Sequence, residues 1–532
     1  MNYYFHETES VMSRNMKAGS WLLLITFILF LLVRIFVPSP YYFISLDEAK
    51  YLTLARSFPR HTLFNNQLYL VHPPLFPYLI RAFSLTLPDH IAGMTVSLVF
   101  AAITFAAMVK LFRLFEKDRY WIVIALFVLA ISPLHIPTSR VVYKDSMFFG
   151  LFAVSLYLFI KGILRPSSRY LYGAGLAGAA CCLTSDLALS LIPVFAVAYL
   201  VFRRPGVRLR AVLVSGLFML IAYGGWLLVR IIVYKHNIFY PAGVDGTIEY
   251  VRSFTFRQLF TPRYFPATAT MFNFSVDLSE FRINANVYPL APLVNLPIFC
   301  STVFYGFIAA TALYSIIHGI KKRLIRDNAA FFFSLLLIIF TLPVVLHPEP
   351  RFLFPILLPM SFLFAHGVAR AGAFFPHPNR ALKVIARGLI LVLAVATTIY
   401  LVHARHCIFS LEKEVEVSRT AQLLRDLPGD GVMAQVGYPP ELVYLTGKRV
   451  LALPITPMVL NDFIRRYGIR YLLYGQRYLA PIATNNPSLI WCYHTIRHIR
   501  SNPKEYPLLR VIDEVYRSGA PPDRIFIHGV RQ

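Results

Sequence analysis

Long apolar runs, broken by short basic clusters, set the pattern of this chain. A membrane-spanning helix needs about 20 consecutive apolar residues. Runs of that kind fall at residues 20–37, 91–115, 120–138, 141–164, 170–184, 186–203, 209–233, 296–319, 329–346, 351–374 and 384–403. The stretch from Tyr170 to Phe202 is either one long helix or two short ones, and charge decides between them. Lys161, Arg165 and Arg169 precede it, and Arg203, Arg204, Arg208 and Arg210 follow it. Cytoplasmic loops collect Lys and Arg, so both clusters belong on one side and the number of crossings between them is even. Two short helices turning around "LTSD" (Leu183 to Asp186) satisfy that. The clusters "KLFRLFEKDR", "KKRLIR" and the Arg370 to Arg387 stretch fall on the cytoplasmic side in the same count.

The expected fold is therefore a polytopic α-helical membrane protein with eleven spans, its N-terminus inside and its C-terminus outside. Residues 38–90 and 234–295 form outer loops of a transmembrane domain over 1–404. From about His403 the pattern changes. "GDGVMAQVGYPPELVYLTGKRVLALP" alternates short strands with a helix-like segment, "NDFIRRYGIRYLLYG" reads as helix then strand, and "DRIFIHGV" reads as a strand. Residues 405–532 are thus an extracytoplasmic α/β domain, long enough for a core of its own.

Composition agrees. The chain has 532 residues, of which 57% are hydrophobic and only 15% charged, too apolar for a soluble exterior. Its formal net charge of +26 sits mainly in the loop clusters, as membrane anchoring requires, and so argues against nucleic acid as a partner. The five cysteines lack metal-ligand spacing and read as small apolar residues. Arg14, Lys17 and the run from Trp21 to Val37 resemble a signal sequence, but "VPSPYYF" supplies no small-residue cleavage site. The expectation is an uncleaved first span.

Four outward-facing stretches carry ionisable groups where a bilayer discourages them. In "LDEAKYLTLARSF", Asp47 and Glu48 are adjacent and a helix would place Asp47 and Tyr51 on one face, with Leu46, Ala49, Leu52 and Leu54 resting on the membrane plane. In "YLVHPPLFPYLIRAF", a Pro-Pro pair sets the chain direction just after His72. "SRVVYKDSMFF" places Lys144 and Asp145 at the outer end of the fourth span. "HPEPRFLFPILLP" places His347, Glu349 and Arg351 between the ninth and tenth. Each has a plain alternative: a dipole-favoured helix start for Asp47 and Glu48, a turn residue for His72, a solvated helix end for Lys144 and Asp145, a headgroup anchor for Arg351. Their coincidence on one face makes them functional candidates, because an interfacial ionisable group is one by default. Glu48, His72, Asp145, His347 and Glu349 offer ligands for a divalent metal, but their scattered origin leaves the metal open.

The ordered set resembles the GT-C class of membrane glycosyltransferases, and within it the protein O-mannosyltransferases and lipid A aminoarabinose transferases. It comprises an acidic pair in the first outer loop, a His-Pro-Pro-Leu turn before the second span, an acid heading the fourth, and Arg-Phe-Leu-x-Pro entering a late one. "YPPELVYLTGKRVLALP" and "RRYGIRYLLYG" are similar to the outer domain of bacterial members. The resemblance implies an enzyme of the bacterial plasma membrane, its site facing outward. It would pass a sugar from a polyprenyl-phosphate donor to a lipid, glycan or protein acceptor, with inversion. It implies Asp47 as the catalytic carboxylate with Glu48 its neighbour, Asp145 as a second acid, and His72 and Arg351 on the donor phosphate. Relatives carry Leu-Thr-Lys where this chain reads Leu183-Thr184-Ser185-Asp186, so that lysine's duty passes to Lys144, His72 or Arg351, or the donor differs. Two rivals remain: a transporter or flippase of the same lipids, which would show symmetry-related repeats, and an assembly protein of the same fold without activity.

Overall fold

The computed structural model describes residues 20–36, 46–60, 62–63, 67–68, 72–130, 132, 135–234, 307–318, 325–346, 355–372, 421–422, 424–426, 431–435, 439–451, 471–475, 509–511, 516–517 and 524–530. In chain order the helices are α1 Ser20–Phe36, α2 Leu46–Arg56, α3 Leu75–Phe83, α4 Asp89–Phe112, α5 Arg119–Ala130, α6 His135–Thr138, α7 Lys144–Leu164, α8 Ser168–Cys182 and, after a 3-10 turn at Asp186–Ser190, α9 Leu191–Phe202 and α10 Leu209–Tyr234. They continue with α11 Phe307–His318, α12 Ile325–Leu346, α13 Leu357–Gly372 and α14 Pro439–Thr446. The strands are β1 Thr62–Leu63, β2 Gln67–Leu68, β3 Gly431–Gln435, β4 Arg449–Leu451, β5 Tyr471–Gly475, β6 Leu509–Val511, β7 Tyr516–Arg517 and β8 Arg524–Val530. The expected eleventh span, 384–403, lies outside the described residues. The chain divides into two compact units, the first Met1–Pro40, Leu70–Leu79 and Phe83–Arg405, the second Tyr41–Tyr69, Ile80–Ala82 and His406–Gln532.

The first unit is a bundle of apolar helices. Three of those described, Asp89–Phe112, Lys144–Leu164 and Leu209–Arg230, are long and apolar enough to cross a membrane. In lipid no hydrophobic effect drives helices together, so packing and interhelical hydrogen bonds must do so. Small residues provide the fit. A Cβ at Gly150 would stand 2.8 Å from the Phe100 carbonyl oxygen, and one at Gly175 would stand 2.7 Å from Ser215 Cα, so α4 and α7, and α8 and α10, approach at backbone distance. Ser155 on α7 donates to the Ala174 carbonyl on α8 at 2.7 Å. An aromatic cluster fills the junction of α4, α5, α12 and α13, with Phe362 centred 4.8 Å from Trp121 and 4.3 Å from Phe333. Apolar side chains such as Leu24, Ile28, Leu213, Leu217 and Leu228 face outward, as lipid contact allows.

Pairwise contacts fix the helix directions. Gly93 meets Val142 and Gly150 meets Phe100, so α4 and α7 run parallel. Gly162 meets Leu171 and Phe148 meets Cys181, so α7 and α8 are antiparallel. Gly175 meets Ser215 and Gly178 meets Met219, making α8 and α10 parallel. Phe307 meets Phe364 and Arg370 lies over Tyr314, making α11 and α13 parallel. Phe332 and Phe333 of α12 meet Phe202 and Phe115, so α12 starts where α4 and α9 end. Asp327 pairs with Arg370, which puts the start of α12 beside the end of α13. The bundle thus has one end carrying Arg119, Lys161, Arg203 and Arg326, and another carrying the starts of α4 and α7 and the ends of α8 and α10. Tyr170–Phe202 forms two helices turned at Leu183–Ser185, the arrangement that the flanking charges require.

Among the described residues the second unit contains a six-stranded mixed sheet, ordered β4-β3-β5-β8-β6, with β7 also pairing β8. β4, β3 and β5 are parallel and β8 joins antiparallel, with Leu473 opposite Ile527. α14 is the crossover between β3 and β4, as parallel neighbours demand. Gly447 ends it at φ 69°, a left-handed conformation that favours glycine, with its N–H on the Val443 carbonyl at 2.9 Å.

Candidate functional site

In the first unit, the end of the bundle away from the Arg119–Arg326 cluster gathers His72, Lys144, Asp145 and the Leu183–Asp186 turn. His72 is half-buried, and the two prolines after it lead into α3. The first free amide of α3, on Leu75, donates to the Leu183 carbonyl at 3.0 Å. This bond joins the His-Pro-Pro turn to the Leu183–Asp186 turn. The same turn stands beside α7, because the Cys181 thiol reaches the Phe148 carbonyl at 3.4 Å, one turn below Asp145. Asp145 is 4% exposed in the first turn of α7, where the helix dipole favours a carboxylate. Lys144 beside it is half-buried. Two hydroxyls hold this helix start: Ser97 of α4 donates to the Tyr143 carbonyl at 3.3 Å, and Ser146 donates to the Thr138 carbonyl at 3.1 Å.

Asp47 occupies the second position of α2, in the second unit. Glu48 and Tyr51 on that helix are each 2% exposed. Ala49, Leu52, Leu54 and Ala55 are buried in protein, so the apolar side chains expected to face a membrane plane face protein instead. Periodicity could not make that distinction, since a helix against lipid and one against protein share the same apolar stripe. α2 packs on α14, where Arg56 donates to the Tyr444 carbonyl at 3.3 Å and lies 4.2 Å over its ring. His347 and Arg351 lie outside the described residues, as does Glu349. Among the described residues no three His, Cys, Asp or Glu side chains gather as a metal-ligand set.

Several ionisable groups at this end were not among the sequence candidates. Arg230 of α10 is buried and its guanidinium lies 3.6 Å from the Asp186 carboxylate. The acid that follows Ser185 in this turn is thus offset by a cation from α10. Arg34 is 2% exposed, Arg140 donates to the Ile35 carbonyl that ends α1 at 3.4 Å, and His135 is fully buried. All were visible as ionisable residues in or beside apolar runs, the same signal that singled out Asp145.

At the opposite end, Glu116 ties the α4–α5 turn to α12. Its carboxylate accepts from Arg326 at 2.8 Å and from the Lys117 and Asp118 amides at 2.9 and 3.1 Å. Burial by itself would raise this carboxyl; those donors outweigh it and hold it below its ordinary value.

Residues 71–228 match the family described as dolichyl-phosphate-mannose-protein mannosyltransferase. That stretch contains His72, Lys144, Asp145 and the Leu183–Asp186 turn. Over the longer span the likeness is structural. The crystal structure of ArnT from Cupriavidus metallidurans bound to undecaprenyl phosphate superposes with a TM-score of 0.57 at 12% identity, covering 96% of this chain and 98% of that one. The fold is that of the GT-C glycosyltransferases. The archaeal oligosaccharyltransferase AglB from Archaeoglobus fulgidus, in complex with an inhibitory peptide and a dolichol-phosphate, shares this GT-C fold with a TM-score of 0.54 at 12% identity, over 86% of this chain and 70% of AglB. No curated protein matches the chain significantly in sequence. The likeness agrees with a multi-span membrane architecture.

Proposed function

We propose that this chain is an integral-membrane glycosyltransferase that moves a sugar from a polyprenyl-phosphate carrier to an acceptor on the non-cytoplasmic face, with inversion. The observation that carries the reading is the likeness along nearly the whole of both chains to a GT-C protein bound to undecaprenyl phosphate. The basic end of the bundle is the cytoplasmic one, by the excess of Lys and Arg there. The end with His72, Lys144 and Asp145 then faces outward.

The chemistry suits such groups. A lipid phosphate is already a competent leaving group, and its negative charge grows as the glycosidic bond breaks. Preorganised cations offset that growth, often the largest catalytic contribution. His72, Lys144, His347 and Arg351 are the groups proposed to bind substrate there, with Glu48 and Tyr51 beside the catalytic acid. The acceptor attacks the anomeric carbon from the opposite side, which inverts it. Asp47 orients the acceptor and takes its proton, a role worth about 10²- to 10⁴-fold. Asp145 serves as the second acid. Specificity for sugar and acceptor resides in the outer loops 38–90 and 234–295 and in the C-terminal domain from residue 405, which faces outward with the site.

Asp47→Asn tests the reading. Purified protein in a bilayer mimic, given polyprenyl-phosphate sugar and acceptor, should lose transfer by about 10² or more while remaining monodisperse. Full activity in that variant removes Asp47 from the mechanism. A wild type that moves the intact lipid across the bilayer without consuming the sugar-phosphate bond is a flippase, and one that does neither is an assembly protein.

A further inference from the structure

We infer that Arg34 is a positioning residue for Asp145. The inference rests on the reading of Asp145 as a site acid. Arg34 lies near the end of α1 and is 2% exposed. Its guanidinium donates to the Leu129 and Ala130 carbonyls, both at 3.2 Å, which are among the last carbonyls of α5 and lie beyond its i to i−4 ladder; the Ser132 amide also donates to Leu129, at 3.3 Å. It also donates to the Phe30 carbonyl at 2.9 Å, lies 3.5 Å over the Phe30 ring, and reaches His135 Nδ1 at 2.6 Å. A guanidinium has donors only, so His135 Nδ1 accepts.

The contacts lead onward in one direction. α5 stops at Ala130, just before Ser132 and Pro133, and the chain restarts as the one-turn helix α6, which begins with His135. The His135 ring packs on Phe149 of α7 at 5.8 Å, its carbonyl accepts from Thr138 Oγ1, and the Thr138 carbonyl accepts from Ser146. Ser146 follows Asp145 directly. Arg34, His135, Thr138, Ser146 and Asp145 are all buried. A broken span is tolerated at membrane depth only where protein satisfies its freed carbonyls. Here the Arg34 guanidinium does so together with the Ser132 amide, and thereby sets the register from which α7 starts. A lysine has the charge but not the planar fork that serves several acceptors at once.

The test uses the full chain in nanodiscs, with Arg34→Gln, Arg34→Lys and Ser146→Ala. Each should lower kcat while leaving the donor KM within about threefold, Arg34→Gln by about 10²-fold, as a displacement near 1 Å at a reacting group can cost. A second readout does not need turnover: Lys144→Cys, placed in a background with the five native cysteines replaced by serine. Its maleimide reactivity should rise about fivefold or more when Arg34→Gln is added, as local opening at the helix start becomes easier. Unchanged reactivity in a monodisperse Arg34→Gln protein overturns the inference. If Arg34→Gln does not fold, Arg34→Lys and Ser146→Ala decide by the same two readouts, and wild-type values in both overturn it. A wild type without transfer activity sinks the proposed function alone, since the thiol readout still reports the placement of the first turn of α7.

Discussion

Arg230 lies 3.6 Å from Asp186, and of the two it is the arginine that is buried. The pair joins α10 to the turn between α8 and α9. Removing the acid leaves a buried cation facing its lost partner, which is costlier than losing both. A double-mutant cycle of Asp186→Asn and Arg230→Met on thermal unfolding should give a coupling of about 1 kcal/mol or more. Additive effects would show that the contact contributes nothing to stability.

Gly175 and Gly216 make an internal control. Gly175→Ala would bring a methyl within 2.7 Å of Ser215 backbone, whereas nothing lies within 4 Å of a Cβ at Gly216. The first substitution should destabilise by about 1–3 kcal/mol through overpacking. The second should be neutral or stabilise by up to about 1 kcal/mol, since alanine is the better helix former. Equal melting temperatures for the two variants would contradict the close approach of α8 and α10.

Glu116 supplies a pH dependence with a definite sign. Its carboxyl is held below the ordinary value of 4.5 by Arg326 and two amides. The folded form therefore stays ionised where the unfolded chain takes up a proton. The contribution to stability is fully present above that ordinary value and fades as pH falls through the lower folded value. Unfolding midpoints of wild type and Glu116→Gln should differ near neutral pH and converge in acid. A gap that widens as the pH drops would reverse the assignment.

The alternation of helix directions predicts sidedness. Single cysteines at positions 72, 89, 144 and 186 should react with an impermeant maleimide from outside intact cells, and those at 117, 165, 204 and 326 only after permeabilisation. Labelling of positions 144 and 326 from the same side would break the alternation.

Much of the bundle was legible because a bilayer leaves so few choices. Runs long enough to span, with arginine clusters between them, define α4, α7 and α10, and parity alone split Tyr170–Phe202 at its turn. The misses have local causes. α5 is 12 residues, about 18 Å, because Pro133 biases the residue before it away from helix, yet the apolar run continues to Thr138 and hides the break. Arg34 was overlooked inside a run read as uniformly apolar. α2 was placed against lipid because its stripe does not say what covers it. Of the expected site, Asp145, Lys144 and His72 share one end of the first unit, while the side chains of Asp47, His347 and Arg351 are not among those described.

The tie between α1 and α5 also constrains how the chain is made. At the basic end Arg119 donates to Ser20, and at the other Arg34 donates to carbonyls of α5, so both tips of the first helix are claimed by the same later one. Ala130 is synthesised 96 residues after Arg34, a lag of roughly 5 to 20 seconds at ordinary elongation rates. Through that interval the guanidinium has the Phe30 carbonyl and ring of its own helix but not the carbonyls of α5, and a long side chain can reach toward the headgroups. Phe105 of α4 can meet Phe27 and Phe30 earlier, and the arrival of α5 then adds a polar tie at each tip of α1.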